Sequence, residues 1–250
     1  MRLLRFTFPI ALLTILFFSC QKNETDPEID PDTGCTNCSS SNSVTYYAIL
    51  KSGVYIETSS STQTVTNRAS AFFSSQPINL ANSNTMVNVN LAQFNGDSLK
   101  NSGPPLYYTN ENPINLATEQ WYVDGGSSGI PTFNFNNINN KPAYATISNI
   151  PDSISAAVGF SFTVHDISYM TAGSAIISDG KSSNTKIFSV PLKSGTDTIS
   201  FSSQNLLSFS TGTTAYVSIV LENSQIVKID GKDIKISKEK AYTKYFKLKP

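Results

Sequence analysis

The stretch QIVKIDGKDIKI, residues 225–236, limits the fold more tightly than any other part of the chain. Apolar and polar residues alternate on both sides of Asp230–Gly231, and a period of two marks a strand with one buried face. Asp-Gly suits a two-residue type I′ turn, whose two central residues both need positive φ. That turn sets a register in which Ile229 faces Lys232, Lys228 faces Asp233 and Val227 faces Ile234. Val227, Ile229, Ile234 and Ile236 then share one face, while Lys228 and Asp233 meet as opposite charges on the other. A slip of one residue would bury lysines, so the register is strongly specified.

The same period runs through residues 44–250. TYYAILKSGVYIET puts Tyr46, Ala48 and Leu50 on one face. NTMVNVNLAQFNGD alternates Val87, Val89 and Leu91 with asparagines and then reaches a tight-turn signal at Asn95–Gly96. PTFNFNN alternates Phe133 and Phe135, and AVGFSFTVHDI alternates Phe160, Phe162 and Val164. TAYVSIVLEN is apolar on both faces and reads as a central strand covered on each side. SQNLLSF, around Leu206–Leu207, is the one short helical candidate. Strands every 8–12 residues with turn signals between them predict an all-β chain of β-sandwiches. The expectation is two Ig-like sandwiches, residues 44–140 and 141–250, divided where Asn, Pro142 and Pro151 cluster. One larger sandwich is the alternative.

Ahead of this body the sequence is of another kind. Arg2 and Arg5 precede a run of about 13 apolar residues, Phe6 to Phe18, too short for the roughly 20 needed to span a bilayer. A charged start, a short apolar core and a small residue, Ser19, describe a secretory signal peptide over residues 1–19. Cys20 follows at once. Residues 20–43 hold Glu24, Asp26, Glu28, Asp30 and Asp32, three prolines or glycines and a serine cluster, with Ile29 almost the sole large apolar residue. Such a segment cannot bury enough surface to offset its ordering entropy and reads as a disordered tether.

The seam at Cys20 resembles the lipobox of bacterial lipoproteins, with Phe17 where that pattern prefers Leu and Leu16 one place earlier. The acidic run after it is similar to the export signal of Bacteroidota outer-membrane and surface lipoproteins. The resemblance covers residues 1 to about 32. It implies cleavage before Cys20, acylation of its thiol, and anchoring at the outer membrane facing the cell surface, with a periplasm-facing lipoprotein as the alternative. Each buried methylene contributes roughly 0.8 kcal/mol, so two or three acyl chains hold a protein where one is marginal.

With Cys20 acylated, Cys35 and Cys38 remain, an even number in an oxidising compartment, and they are the disulfide candidate. A zinc site would need two further ligands, and the chain offers only His165 as an additional imidazole or thiol. No metal and no cofactor are therefore expected.

With Arg2 and Arg5 removed, 16 basic residues face 18 acidic ones, a balance without the field that nucleic-acid binding needs. No H-E-x-x-H or P-loop pattern occurs. His165 and Asp166 are neighbours on a predicted strand, so they point to opposite faces and form no local acid–base pair. The DGKD stretch at 230–233 lacks calcium-loop spacing and is better explained by the hairpin. Adjacent aromatics at Tyr46–Tyr47, Tyr107–Tyr108 and Trp121–Tyr122 should expose one ring of each pair. Tyr107 and Tyr108, in a loop-like GPPLYYTNENP, are the candidates for stacking on sugar rings. Eight lysines between Lys228 and Lys249 read as the guard of an edge strand. The expectation is a non-enzymatic, lipid-anchored module that binds glycan or protein or serves a structural role. An extracytoplasmic hydrolase and an accessory subunit of an outer-membrane complex are the alternatives.

Overall fold

The computed structural model describes residues 46–59, 61–78, 85–101, 107–110, 114–148, 150–179, 187–209, 212 and 214–250; of Tyr107 only the backbone is described. Cys20, Cys35, Cys38, the signal peptide and the tether lie outside the described residues. Residues Ser43–Pro250 form one compact unit, and its described residues are mostly β, with short helical turns that include Gly126–Ser128 and Ser203–Leu206. The second is the helical turn expected near Leu206. Ser202 caps it, with reciprocal Ser202–Asn205 hydrogen bonds.

The strands in chain order are β1 (Ala48–Thr58), β2 (Gln63–Phe73), β3 (Leu91–Phe94), β4 (Asp97–Ser98), β5 (Lys100–Asn101), β6 (Tyr107–Thr109), β7 (Gln120–Asp124) and β8 (Phe133–Asn136). They continue with β9 (Thr146–Ile147), β10 (Ser153–Ser155), β11 (Phe160–Ile167), β12 (Ala172–Ser178), β13 (Ile187–Pro191), β14 (Gly195–Phe201), β15 (Thr214–Ile229) and β16 (Lys232–Lys249). A nine-stranded sheet runs β13-β12-β15-β16-β1-β2-β6-β5, with β10 also paired to β16. Two smaller sheets are ordered β4-β3-β7-β8 and β14-β11-β9.

The Asp230–Gly231 turn forms as the sequence predicts. Both residues have positive φ, and the ladder pairs Ile229 with Lys232, Lys228 with Asp233 and Val227 with Ile234. The strands it joins are 16 and 18 residues long, about three times the usual length. TAYVSIVLEN and QIVKI are therefore one strand, not two. Its first half is buried on both faces between β12 and β16, the central position expected for it. Asn95–Gly96 likewise closes the β3–β4 hairpin with positive φ at both residues.

Two hydrophobic cores lie on the same face of the large sheet. Alternation puts Ile234, Ile236, Tyr242, Phe246 and Leu248 of β16 on one side. The first two belong to a core with Phe73, Phe94, Trp121 and Phe133, and the last three pack with Phe162, Val217, Ile219 and Phe201. The β3–β4–β7–β8 sheet closes the first core and the β9–β11–β14 sheet the second. Each fully buried Phe or Ile contributes roughly 1.5–3 kcal/mol. The division near residues 136–150 thus separates two cores, each with its own small sheet. It does not separate two sandwiches, because β15 and β16 of the second stretch carry side chains into the first core.

Two further expectations are corrected. The lysine-rich C-terminal strand is not an edge: β16 lies between β15 on one side and β1 and β10 on the other. Its lysines survive there because carboxylates, carbonyls and a ring meet them, Lys244 reaching Asp152 at 3.0 Å and the Ile150 carbonyl at 2.5 Å. The alternation through His165 and Asp166 also breaks. Asp166 has φ of +54° and the pairing with β14 shifts register between Val164 and Ile167, a β-bulge.

Candidate functional site

Between the two cores the large sheet changes character. β1 and β16 run parallel there, pairing Lys51 with Ser237, Ser52 with Lys238 and Gly53 with Glu239. Adjacent strand residues face opposite ways. Ser52 and Lys238 therefore point toward the face that carries the cores, and Lys51 and Glu239 toward the other. A polar seam crosses the sheet at this level on both sides.

On the core-bearing face the seam centres on Glu119, which precedes β7. Its carboxylate accepts a hydrogen bond from Ser52 Oγ at 2.7 Å and lies 3.6 Å from both Lys238 Nζ and Lys141 Nζ. The Glu119 side chain is 2% exposed and that of Lys238 9%. Lys141 also donates to the Leu116 carbonyl. The asparagine-rich connection after β8 is strapped over the same level. Asn137 N donates to the Glu119 carbonyl at 2.8 Å, Gln225 Nε2 to Asn137 Oδ1 at 3.2 Å, and Asn223 Nδ2 to the Asn140 carbonyl at 2.8 Å. One step along β16, Lys240 sits 3.9 Å from the centroid of the Tyr144 ring, a cation–π contact. Burial, with the Tyr242 phenol adding to it, pushes Tyr144 up to about 12.

On the opposite face Lys51 Nζ meets Glu239 Oε1 at 2.7 Å, with both side chains 1% exposed. Tyr55 donates to Glu239 Oε2 at 2.6 Å. Gly53 makes this possible. A Cβ there would stand 2.6 Å from the Glu239 carbonyl oxygen and 2.9 Å from its Cβ, so only glycine leaves Glu239 its place beside Lys51 and Tyr55. Burial and then the Glu239 carboxylate push the Tyr55 phenol well above its ordinary range. Glu222 stands directly across from Glu239 in the β15–β16 ladder. Lys235 Nζ lies 2.5 Å from it and Ser237 Oγ 3.2 Å. Burial pushes Glu222 up, but Lys51 and Lys235 outweigh burial and hold its carboxyl below the usual range.

Each carboxylate of the seam is thus held by lysine and hydroxyl groups of neighbouring strands, an arrangement that neutralises buried charge. Among the described residues no three His, Cys, Asp or Glu side chains stand together as a metal site would require, and no helix is long and apolar enough to cross a membrane.

The sequence candidates fall elsewhere. Tyr108, expected to be exposed, is 7% exposed in the first core. Its ring packs edge-on against Phe73 at 5.5 Å, and its hydroxyl accepts from Val89 N at 3.0 Å. A ring at a strand position facing Phe73 gains more from the core than from water, so it is not a stacking platform. The Tyr107 side chain lies outside the described residues, as do Cys20, Cys35 and Cys38. Trp121 is fully buried, edge-on to Phe94 at 4.8 Å. His165 lies on β11, in the small sheet of the second core, with its carbonyl accepting from Ala145 N. Sequence reasoning missed Lys51, Glu119, Glu222 and Glu239. The available signal was a lone charge inside an apolar alternation, as in AILKSGVY and SIVLEN.

Comparison with protein-family models, with curated proteins and with solved structures returns no match to this chain.

Proposed function

We propose that the chain is an outer-membrane lipoprotein facing the cell surface, held by acyl chains on Cys20, and that its β body is a non-enzymatic binding or structural module for a protein partner. The observation that carries the non-enzymatic reading is the condition of the buried carboxylates. Glu119, Glu222 and Glu239 each have a lysine within 3.6 Å. A general acid or base must exchange a proton with substrate within hydrogen-bond reach, and carboxylates locked in pairs between strands serve the sheet instead. Protein is favoured over glycan because Tyr108 is committed to the core, while among the described residues no strand covers the outer side of Gln63–Asn67 of β2, which suits main-chain recognition by strand addition.

The test has two arms. Cys20→Ser in the native host should move the protein from the membrane to the soluble fraction; retention in the membrane would overturn the anchor. The purified chain should turn over no member of a broad ester, peptide and glycoside panel. Turnover abolished by a serine or carboxylate substitution that leaves the urea midpoint unchanged would establish a hydrolase instead.

A further inference from the structure

The edge of β2 offers a second kind of contact. β2 pairs with β1 along its whole length, but β6 covers it only from Ser70 to Phe72. Beyond that, Asn110 caps Ala69, its N–H donating to the Ala69 carbonyl and its Oδ1 accepting from Ala69 N at 2.6 Å. Ser74 N bonds to the Tyr47 carbonyl, so the even-numbered residues of β2 bond to β1 and the odd-numbered ones turn their N–H and C=O outward. Among the described residues no strand pairs with Gln63–Asn67 on that side. Val65, in its middle, is 60% exposed.

Exposed edges are templates for pairing, and proteins blunt them with proline, charge or shortness. Two other edges of this sheet carry such devices: β13 contains Pro191, and β5 is two residues long and contains Lys100. The β2 edge, with the sequence QTVTN, has none. It is also self-complementary. Antiparallel pairing about a two-fold axis at Val65 sets Val65 against the partner's Val65, Thr64 against the partner's Thr66 and Gln63 against the partner's Asn67. Both the Val–Val and Thr–Thr cross-strand pairs are favourable, and no like charges meet. The outward groups of Val65 bond to those of its twin. We infer that two copies of this chain associate edge to edge through residues Gln63–Asn67 of β2, joining their nine-stranded sheets across a two-fold axis at Val65. A five-residue seam is a small interface, and confinement to a membrane raises the effective concentration that favours it. That last point alone rests on the anchor reading; the edge geometry does not.

The test is disulfide trapping of the full chain in native-host membranes, in a Cys35→Ser/Cys38→Ser background. Directly opposed residues of a hydrogen-bonded pair have Cα atoms about 5.5 Å apart, inside the disulfide range. Mild oxidation of the Val65→Cys protein should give a covalent dimer as the main species. Ile226→Cys, at an exposed position of β15, should not. In parallel, Val65→Lys, which puts two like charges on the axis, should weaken self-association of the purified chain at least tenfold by light scattering. Val65→Cys trapping no better than Ile226→Cys, or Val65→Lys leaving the concentration dependence unchanged, overturns the inference. A dimer formed without Val65→Cys would instead report a free Cys20 thiol, a failure of the anchor reading.

Discussion

Glu119→Leu gives the sharpest test of what the polar seam does. In the folded chain Glu119 and Lys238 are almost fully buried and 3.6 Å apart. At an effective dielectric constant of about 20 their attraction is about 4–5 kcal/mol, offset by the cost of removing both charges from water. Glu119→Leu deletes the attraction but leaves the Lys238 share of the offset, since Lys238 stays buried without its carboxylate. The expected loss is about 3–5 kcal/mol. For a body of roughly 200 residues each kcal/mol shifts Tm by about 2–4 °C, so the melting point should fall by about 6–20 °C. Lys238→Met should cost less, because Ser52 and Lys141 still reach Glu119. The double variant should recover most of the loss, since two apolar side chains of similar volume in that place are close to neutral. The assay is urea unfolding of all four proteins with equal m-values, closed as a double-mutant cycle. A loss under about 1 kcal/mol for Glu119→Leu, or strictly additive single effects, would refute the reasoning that the pair is a mutually compensating buried unit.

Two other perturbations follow from the same seam. Gly53→Ala should destabilise by about 1–3 kcal/mol in urea unfolding, because the added Cβ collides with backbone and side chain of Glu239. Glu222 has a folded pKa below its ordinary 4.5, so its contribution to stability is present above that ordinary value and is lost as pH falls through the lower folded value. Unfolding free energy should therefore drop between about pH 5 and pH 3, and Glu222→Gln should flatten that drop when both proteins are compared across the range.

The sequence made the local structure legible and left the long-range structure hidden. Asp230–Gly231 and Asn95–Gly96 fix their hairpins because turn residues and alternation are local signals. The helical turn at Ser203–Leu206 is signalled by Ser202, a capping residue. By contrast, Glu222–Gln225 looks like a break between strands, yet it is the level at which β15 crosses the seam, where polar residues belong on both faces. The lysines of β16 look like an edge because their partners, Glu119 and Asp152 near the middle of the chain, are distant in sequence. The parallel pairing of β1 with β16 joins Lys51 to Glu239 across 188 residues, a separation at which periodicity carries no information about partners. Tyr108 was misplaced for a related reason: alternation says that one of two neighbouring rings is buried, and only the β2–β6 register says which.

The account's central claim is a lipid on the Cys20 sulfur holding this β body outside the cell, and the mass of the amino-terminal peptide from protein purified from its native host tests it most directly. The claim predicts that the mature chain begins at Cys20 and that the tryptic fragment Cys20–Lys22 carries the mass of two or three acyl chains. A fragment with a free thiol, or a chain that still begins at Met1, would contradict it.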